Sequence, residues 1–68
     1  MINIPLIKSR MVFCNIKQSD LAKELNLSQS TVNQKINNAR KLTIEEALKI
    51  KKLLSISDAE FETYFFVE

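Results

Sequence analysis

Apolar residues recur at spacings of three and four along almost the whole chain, which is the period of amphipathic helices rather than the alternation of strands. Ile4, Ile7, Met11 and Cys14 predict a first helix from about Pro5 to Cys14, with Asn15 placed to end it in a left-handed conformation. Pro5 fits because its fixed φ is tolerated near a helix start. Leu21, Ala22 and Leu25 share one face of a second helix over about Gln18 to Leu25, with Lys23 on the other. Asn26-Leu27-Ser28 then reads as a turn, Leu27 plugging the gap between two helices and Ser28 capping the next. A third helix starts at Gln29 and turns Val32 and Ile36, four apart, toward the core.

Thr43-Ile44-Glu45-Glu46 has the form of a capping box and sets two carboxylates at the positive end of a fourth helix. Ile44, Ala47, Leu48, Ile50, Leu53 and Leu54 make a wide apolar stripe there, as expected of the central buried helix of a small bundle. Lys49, Lys51 and Lys52 sit near its carboxyl end, where the dipole favours them and solubility explains them. Ser57-Asp58-Ala59-Glu60 repeats the capping pattern before a short last helix with Phe61 and Phe65 on one face. The expected fold class is all-α, a compact set of helices in one domain over residues 1–68.

A chain of 68 residues with 46% hydrophobic positions has surface for one modest core. The small core makes self-association plausible. Cys14 is the only cysteine and there is no histidine, so an intrachain disulfide and the usual zinc spacings are excluded and a reducing cytoplasm is the expected setting. No cofactor is implied. No apolar run reaches the ~20 residues that span a bilayer, and MINIPLIKSR lacks signal-peptide order, so a soluble, unprocessed chain away from membranes is expected. Without histidine neither Cys14 nor a serine has a ready base, so catalysis is not expected.

Net charge is only +2, yet it is unevenly spread. Residues 1–41 hold seven Lys and Arg against two Asp and Glu, whereas residues 42–68 hold three against six. A basic amino-terminal part suits a phosphate-facing surface, since neutralising phosphates releases counterions.

The segment Gln18 to Asn38, QSDLAKELNLSQSTVNQKINN, has helix-turn-helix spacing, and small Ala22 lets the two helices approach closely. With Val32 and Ile36 inward, Gln29, Ser30, Asn33, Gln34 and Asn37 point outward. Solvent faces are usually filled by Glu and Lys, because Ser, Thr and Asn are mediocre helix formers. Gln and Asn instead offer a donor beside an acceptor, which pairs bidentately with an adenine edge, while Ser and Thr contact thymine or phosphate. Lys17, Lys35, Arg40 and Lys41 bracket this helix as phosphate grips, and the N–H groups that open the second helix near Gln18 add an anion-binding end.

IKQSDLAKELNLSQSTVNQKINN and LTIEEALKIKKLLSISDAEF resemble the DNA-binding domains of Cro- and cI-type phage repressors, the five-helix lambda repressor-like fold, over nearly the whole chain. The resemblance implies that Gln18 braces Gln29 and touches phosphate. It puts base reading on Gln29, Ser30 and Gln34, with Thr31 and Asn33 beside them, and phosphate binding on the turn from Asn37 through Asn38 and Arg40 to Lys41. Ser28 and Lys17 complete the expected DNA-facing set. The chain has no glycine, and Asn15, Asn26, Asn38 and Ser55 occupy positions where the family commonly has it. Many relatives also pair a basic residue of the first helix with Glu at the end of the third; Met11 and Ile36 stand there instead, and they are expected to touch, since two apolar residues can replace a buried ion pair.

All but one of the aromatic residues fall in the last eight positions. Phe61 and Phe65 are expected inside, whereas Tyr64, Phe66 and Val67 are candidates for a partner surface. Two readings follow. One is a Cro-like transcriptional regulator that binds double-stranded DNA, a palindromic operator, as a homodimer. The other is an antirepressor or antitoxin-like partner binder of the same fold that works through its aromatic end.

Overall fold

The computed structural model describes residues 2–66 and contains five helices: α1 (Ile4–Cys14), α2 (Gln18–Leu25), α3 (Gln29–Ile36), α4 (Ile44–Leu53) and α5 (Phe61–Phe65). Each start has a local cause. Asn3 Oδ1 accepts the Leu6 N–H at 3.3 Å and so caps α1, while Pro5 occupies a first-turn position where its missing N–H costs little. Asp20 takes the Lys17 N–H at 2.8 Å ahead of α2; lysine offers no acceptor, so only this half of a capping box exists. Ser28 Oγ accepts the Thr31 N–H at 3.1 Å at the head of α3. At α4 the box is complete, with Glu46 N–H to Thr43 Oγ1 at 3.1 Å and Thr43 N–H to Glu46 Oε1 at 2.9 Å.

The four positions where glycine is commonly found share one device. Asn15, Asn26, Asn38 and Ser55 all have left-handed φ, between 55 and 62°. After each, an apolar residue returns its N–H to the carbonyl five positions back: Ile16 to Met11, Leu27 to Ala22, Ala39 to Gln34 and Ile56 to Lys51, at 2.8–2.9 Å. This is the Schellman closure, which satisfies orphan carbonyls and tucks an apolar side chain against the helix end. Asparagine tolerates the left-handed region better than most residues, which makes glycine dispensable at three of the four sites.

The core is continuous. Ile7 and Met11 from α1, Leu21, Ala22 and Leu25 from α2, Val32 and Ile36 from α3, Ala47 and Ile50 from α4, and Leu54, Ile56 and Phe65 behind them are all buried. The Cα radius of gyration is 10.6 Å, close to the ~11 Å expected for this length. Arg10 ties α1 to the end of α4, its Nε donating to the Leu54 carbonyl at 2.8 Å and Nη2 to the Ser55 carbonyl at 2.9 Å. Cys14, half-buried rather than fully interior, adds an Sγ contact to the same Leu54 carbonyl at 3.3 Å. Among the described residues no helix is long and apolar enough to cross a membrane.

Three expectations need correction. The α4 stripe is narrower than its apolar positions suggested, because Ile44 is 58% and Leu48 49% exposed. At roughly 100° per residue these two lie well round the helix from the line of Ala47, Ile50 and Leu54, which faces the core with half-buried Leu53 packed beside it. The Ser57–Glu60 box forms one turn early: Ser57 Oγ accepts the Glu60 N–H at 3.3 Å and donates to Glu60 Oε1 at 2.9 Å, and α5 starts after it. Tyr64 is buried rather than available to a partner, since α5 packs back on α1 and the Tyr64 carbonyl takes the Asn3 N–H at 2.7 Å. Val67 lies outside the described residues.

Candidate nucleic-acid interface

Helices α2 and α3 pack directly against each other, joined by the Asn26-Leu27-Ser28 turn. Ala22 is buried and Leu27 half-buried between them, and this pairing decides which side of α3 is left outside. Val32 is 1% and Ile36 3% exposed. Gln29, Ser30, Asn33, Gln34 and Asn37 are consequently exposed, and they form two adjoining rows, 29–33–37 and 30–34, along the outer face.

Within that face the polar atoms are unequally occupied. Among the described residues the side chains of Gln29, Ser30 and Gln34 have no hydrogen-bond partner, so their full donor and acceptor capacity is free. Ser28 and Thr31 are partly used in capping, with Ser28 Oγ donating to Thr31 Oγ1 at 2.9 Å. Gln18 does brace α3, but through Asn33 rather than Gln29: its Nε2 donates to Asn33 Oδ1 at 3.0 Å. The short Asn33 side chain, one turn below Gln29 on the same row, holds its oxygen where the α2 amide arrives. Asn37 joins from the next turn, its Nδ2 donating to both the carbonyl and Oδ1 of Asn33 at 2.8 Å. Lys8 of α1 closes the series by donating to Asn37 Oδ1 at 3.1 Å.

The cations also divide. Lys17, Arg40 and Lys41 are exposed and make no side-chain hydrogen bond or ion pair among the described residues, so they stand as free positive charges at the two ends of the amide face. Lys35 does not belong with them. It pairs with Glu46 at 2.7 Å and donates to the Lys41 carbonyl at 3.2 Å, with both charged side chains largely sheltered from solvent. Burial pushes the Glu46 carboxyl up, but hydrogen bonds from Lys35 and Thr43 and the lysine charge outweigh it and hold the group below its ordinary value. Lys35 therefore fixes α3 to α4.

Asn38 is likewise turned away from the face. Its Oδ1 accepts the Ile2 N–H and its Nδ2 donates to the Ile2 carbonyl, both at 3.1 Å, which leaves no spare capacity in that direction for a phosphate. The turn it begins is held by the Gln34 carbonyl, which accepts from Ala39 at 2.8 Å and Arg40 at 3.2 Å and so positions Arg40. Met11 and Ile36 are both buried and line one shallow depression beside Gln18 and Asn33.

Nothing local in the sequence marks Lys8 and Arg10, because their partners are 29 and 44–45 residues away. Val12 and Phe13 are well exposed, an arrangement the spacing did not announce, and the Arg10 guanidinium stacks 4.9 Å over the Phe13 ring.

Two short helices locked by a tight turn, the second holding unpaired amides toward solvent between free cations, define a DNA-binding regulator of the helix-turn-helix class. The chain belongs to the helix-turn-helix family, whose sequence profile matches residues 7–61. Comparison with curated proteins and with solved structures finds no match.

Proposed function

We propose that the chain is a Cro-like transcriptional repressor, phage-type or bacterial, that acts in the cytoplasm by occupying a palindromic operator as a homodimer. The observation that carries this reading is the free amide face of α3. Gln29, Ser30 and Gln34 enter the major groove and read base edges, with Asn33 and the remaining Thr31 hydroxyl beside them. Lys17, Arg40 and Lys41 grip phosphates, and the Gln18 side chain and N–H at the head of α2 together with Ser28 and Asn37 border the backbone. Asn38 supports the site by holding its turn. The protein-interaction alternative is weakened by the burial of Tyr64 and Phe65, which leaves the aromatic end little to offer beyond Phe66, 51% exposed.

For the dimer the better surface is Ile44, Leu48 and Phe66, the exposed apolar residues of α4 and the aromatic end. A second copy set antiparallel about Leu48 brings Glu45 of each α4 near Lys52 of the other, a self-complementary arrangement. Titration of labelled duplex at several salt concentrations tests the function. A repressor loses affinity steeply as salt rises and loses sequence preference at the base pair Gln34 faces on Gln34→Ala; salt-independent or absent binding contradicts it.

A further inference from the structure

We propose that Asn33 reads DNA as a donor only, its polarity set by Gln18 and Asn37 with Lys8 behind them, so that it selects guanine over adenine at the base pair it faces. The inference rests on the DNA-reading function above and deepens it.

A free asparagine amide carries a donor and an acceptor and suits adenine, which offers N7 to accept and N6 to donate. Asn33 is not free. Its Oδ1 has two lone pairs, and both are taken, by Gln18 Nε2 at 3.0 Å and by Asn37 Nδ2 at 2.8 Å. The amide cannot simply flip. Asn37 gives its two N–H bonds to Asn33, one to the side chain and one to the main-chain carbonyl, and its own oxygen faces the Lys8 ammonium at 3.1 Å. Inverting Asn37 would set its oxygen against a carbonyl and its NH2 against a group that only donates. Every acceptor in the series is thereby matched to a donor in one sense, Lys8 to Asn37 to Asn33 and Gln18 to Asn33.

What remains of Asn33 is Nδ2, which has no partner among the described residues. Its two hydrogens suit two adjacent acceptors, and guanine presents N7 and O6 side by side in the major groove. Adenine offers N7 alone, and its N6 hydrogens meet no open acceptor. Gln29 and Gln34, unconstrained in this way, keep the bidentate adenine option, so one helix face carries amides of two different specificities.

Asn37→Asp tests the idea because it reverses the series. A carboxylate has no donor, binds Lys8 and repels Asn33 Oδ1, so the Asn33 amide inverts, donates to Asp and to a turned Gln18, and exposes its oxygen. Selection from a random duplex library is run with the wild-type chain and with N37D. The wild type should favour guanine over adenine about five- to tenfold at one position per half-site, the low end of what a mismatched base pair costs. N37D should reverse that preference toward adenine or cytosine, whatever the added negative charge does to overall affinity. An unchanged preference at every position overturns the proposal.

A second measurement needs no DNA. In the free protein, side-chain NH2 exchange with water followed by NMR should be measurably slower for Asn37 than for Asn33; equal protection, or protection of Asn33 alone, overturns the assigned polarity. If the wild type enriches no duplex, the DNA reading and the guanine preference fall together, while the exchange rates still decide the polarity.

Discussion

Asn38 clasps the backbone of Ile2 by both its polar groups, accepting one hydrogen bond and donating another at 3.1 Å, so the turn after α3 is stitched to the start of the chain. Its left-handed φ of 62° would suit glycine, but glycine would forfeit both bonds. Asn38→Gly is therefore expected to lower stability by about 1–2 kcal/mol, from two partly buried hydrogen bonds at ~0.5–1.5 kcal/mol each less the relief of backbone strain. Ser55 has the same kind of φ, 55°, and no side-chain bond among the described residues. Ser55→Gly should stabilise by roughly 0.5 kcal/mol, strain relief exceeding the added freedom of the unfolded chain. Urea unfolding of both variants checks the opposite signs.

Arg10 is a structural cation. With both donors on the carbonyls that end α4, Arg10→Met should cost about 1–2 kcal/mol of stability, since hydrogen bonds from a charged donor exceed neutral ones. DNA affinity measured well below the unfolding midpoint should change little. A large uniform loss of affinity with unchanged stability would instead make Arg10 a phosphate grip.

The Lys35–Glu46 pair gives stability a pH dependence of known sign. Because the Glu46 carboxyl is lowered from its ordinary 4.5 in the folded chain, its contribution is fully present above that value and is lost as pH falls through the lowered one. Glu46→Gln keeps the oxygen that caps Thr43 but loses the charge that faces Lys35, so it should be less stable than the wild type at pH 7 by up to about 1 kcal/mol, and the gap should close as the pH falls below 4.5. Thermal unfolding of the two chains across pH 3–7 measures it; a gap that widens in acid is the contrary result.

If α4 supplies the dimer surface, Leu48→Glu breaks it without touching the core, since Leu48 is half exposed. Sedimentation should show the wild type associating and the variant monomeric, with helix content and midpoint of unfolding nearly unchanged. Operator affinity should fall more steeply than monomer stability, as expected when two half-sites no longer bind together. Equal association of both chains would move the interface elsewhere.

Much of the fold was legible because its signals are local. Capping residues, four left-handed positions without glycine and helical spacing fix the start and end of α2 and the onset of α3 and α4. The amide face of α3 followed from the same periodicity, once Val32 and Ile36 were set inward. Hidden from the sequence were the relations that depend on what lies across the fold. Lys35 looked like a phosphate grip until Glu46 appeared beside it, and Asn38 like a backbone contact until Ile2 took both its groups. The resemblance pairs Gln18 with Gln29, whereas the short side chain at Asn33 draws it one turn down. Ile44 and Leu48 read as core because composition says nothing about which neighbours a short chain has left to cover them.

In the proposed function α3 enters a major groove and its exposed amides choose the sequence. Selection of bound duplex from a random library, repeated with Gln34→Ala, tests it most directly. The expected outcome is an inverted repeat with half-sites roughly 34 Å apart, one DNA turn, and a loss of preference confined to one base pair per half-site in the variant, worth about 1–3 kcal/mol. No enriched sequence from the wild-type chain, or the same sequence from both chains with equal preference at every position, would contradict it.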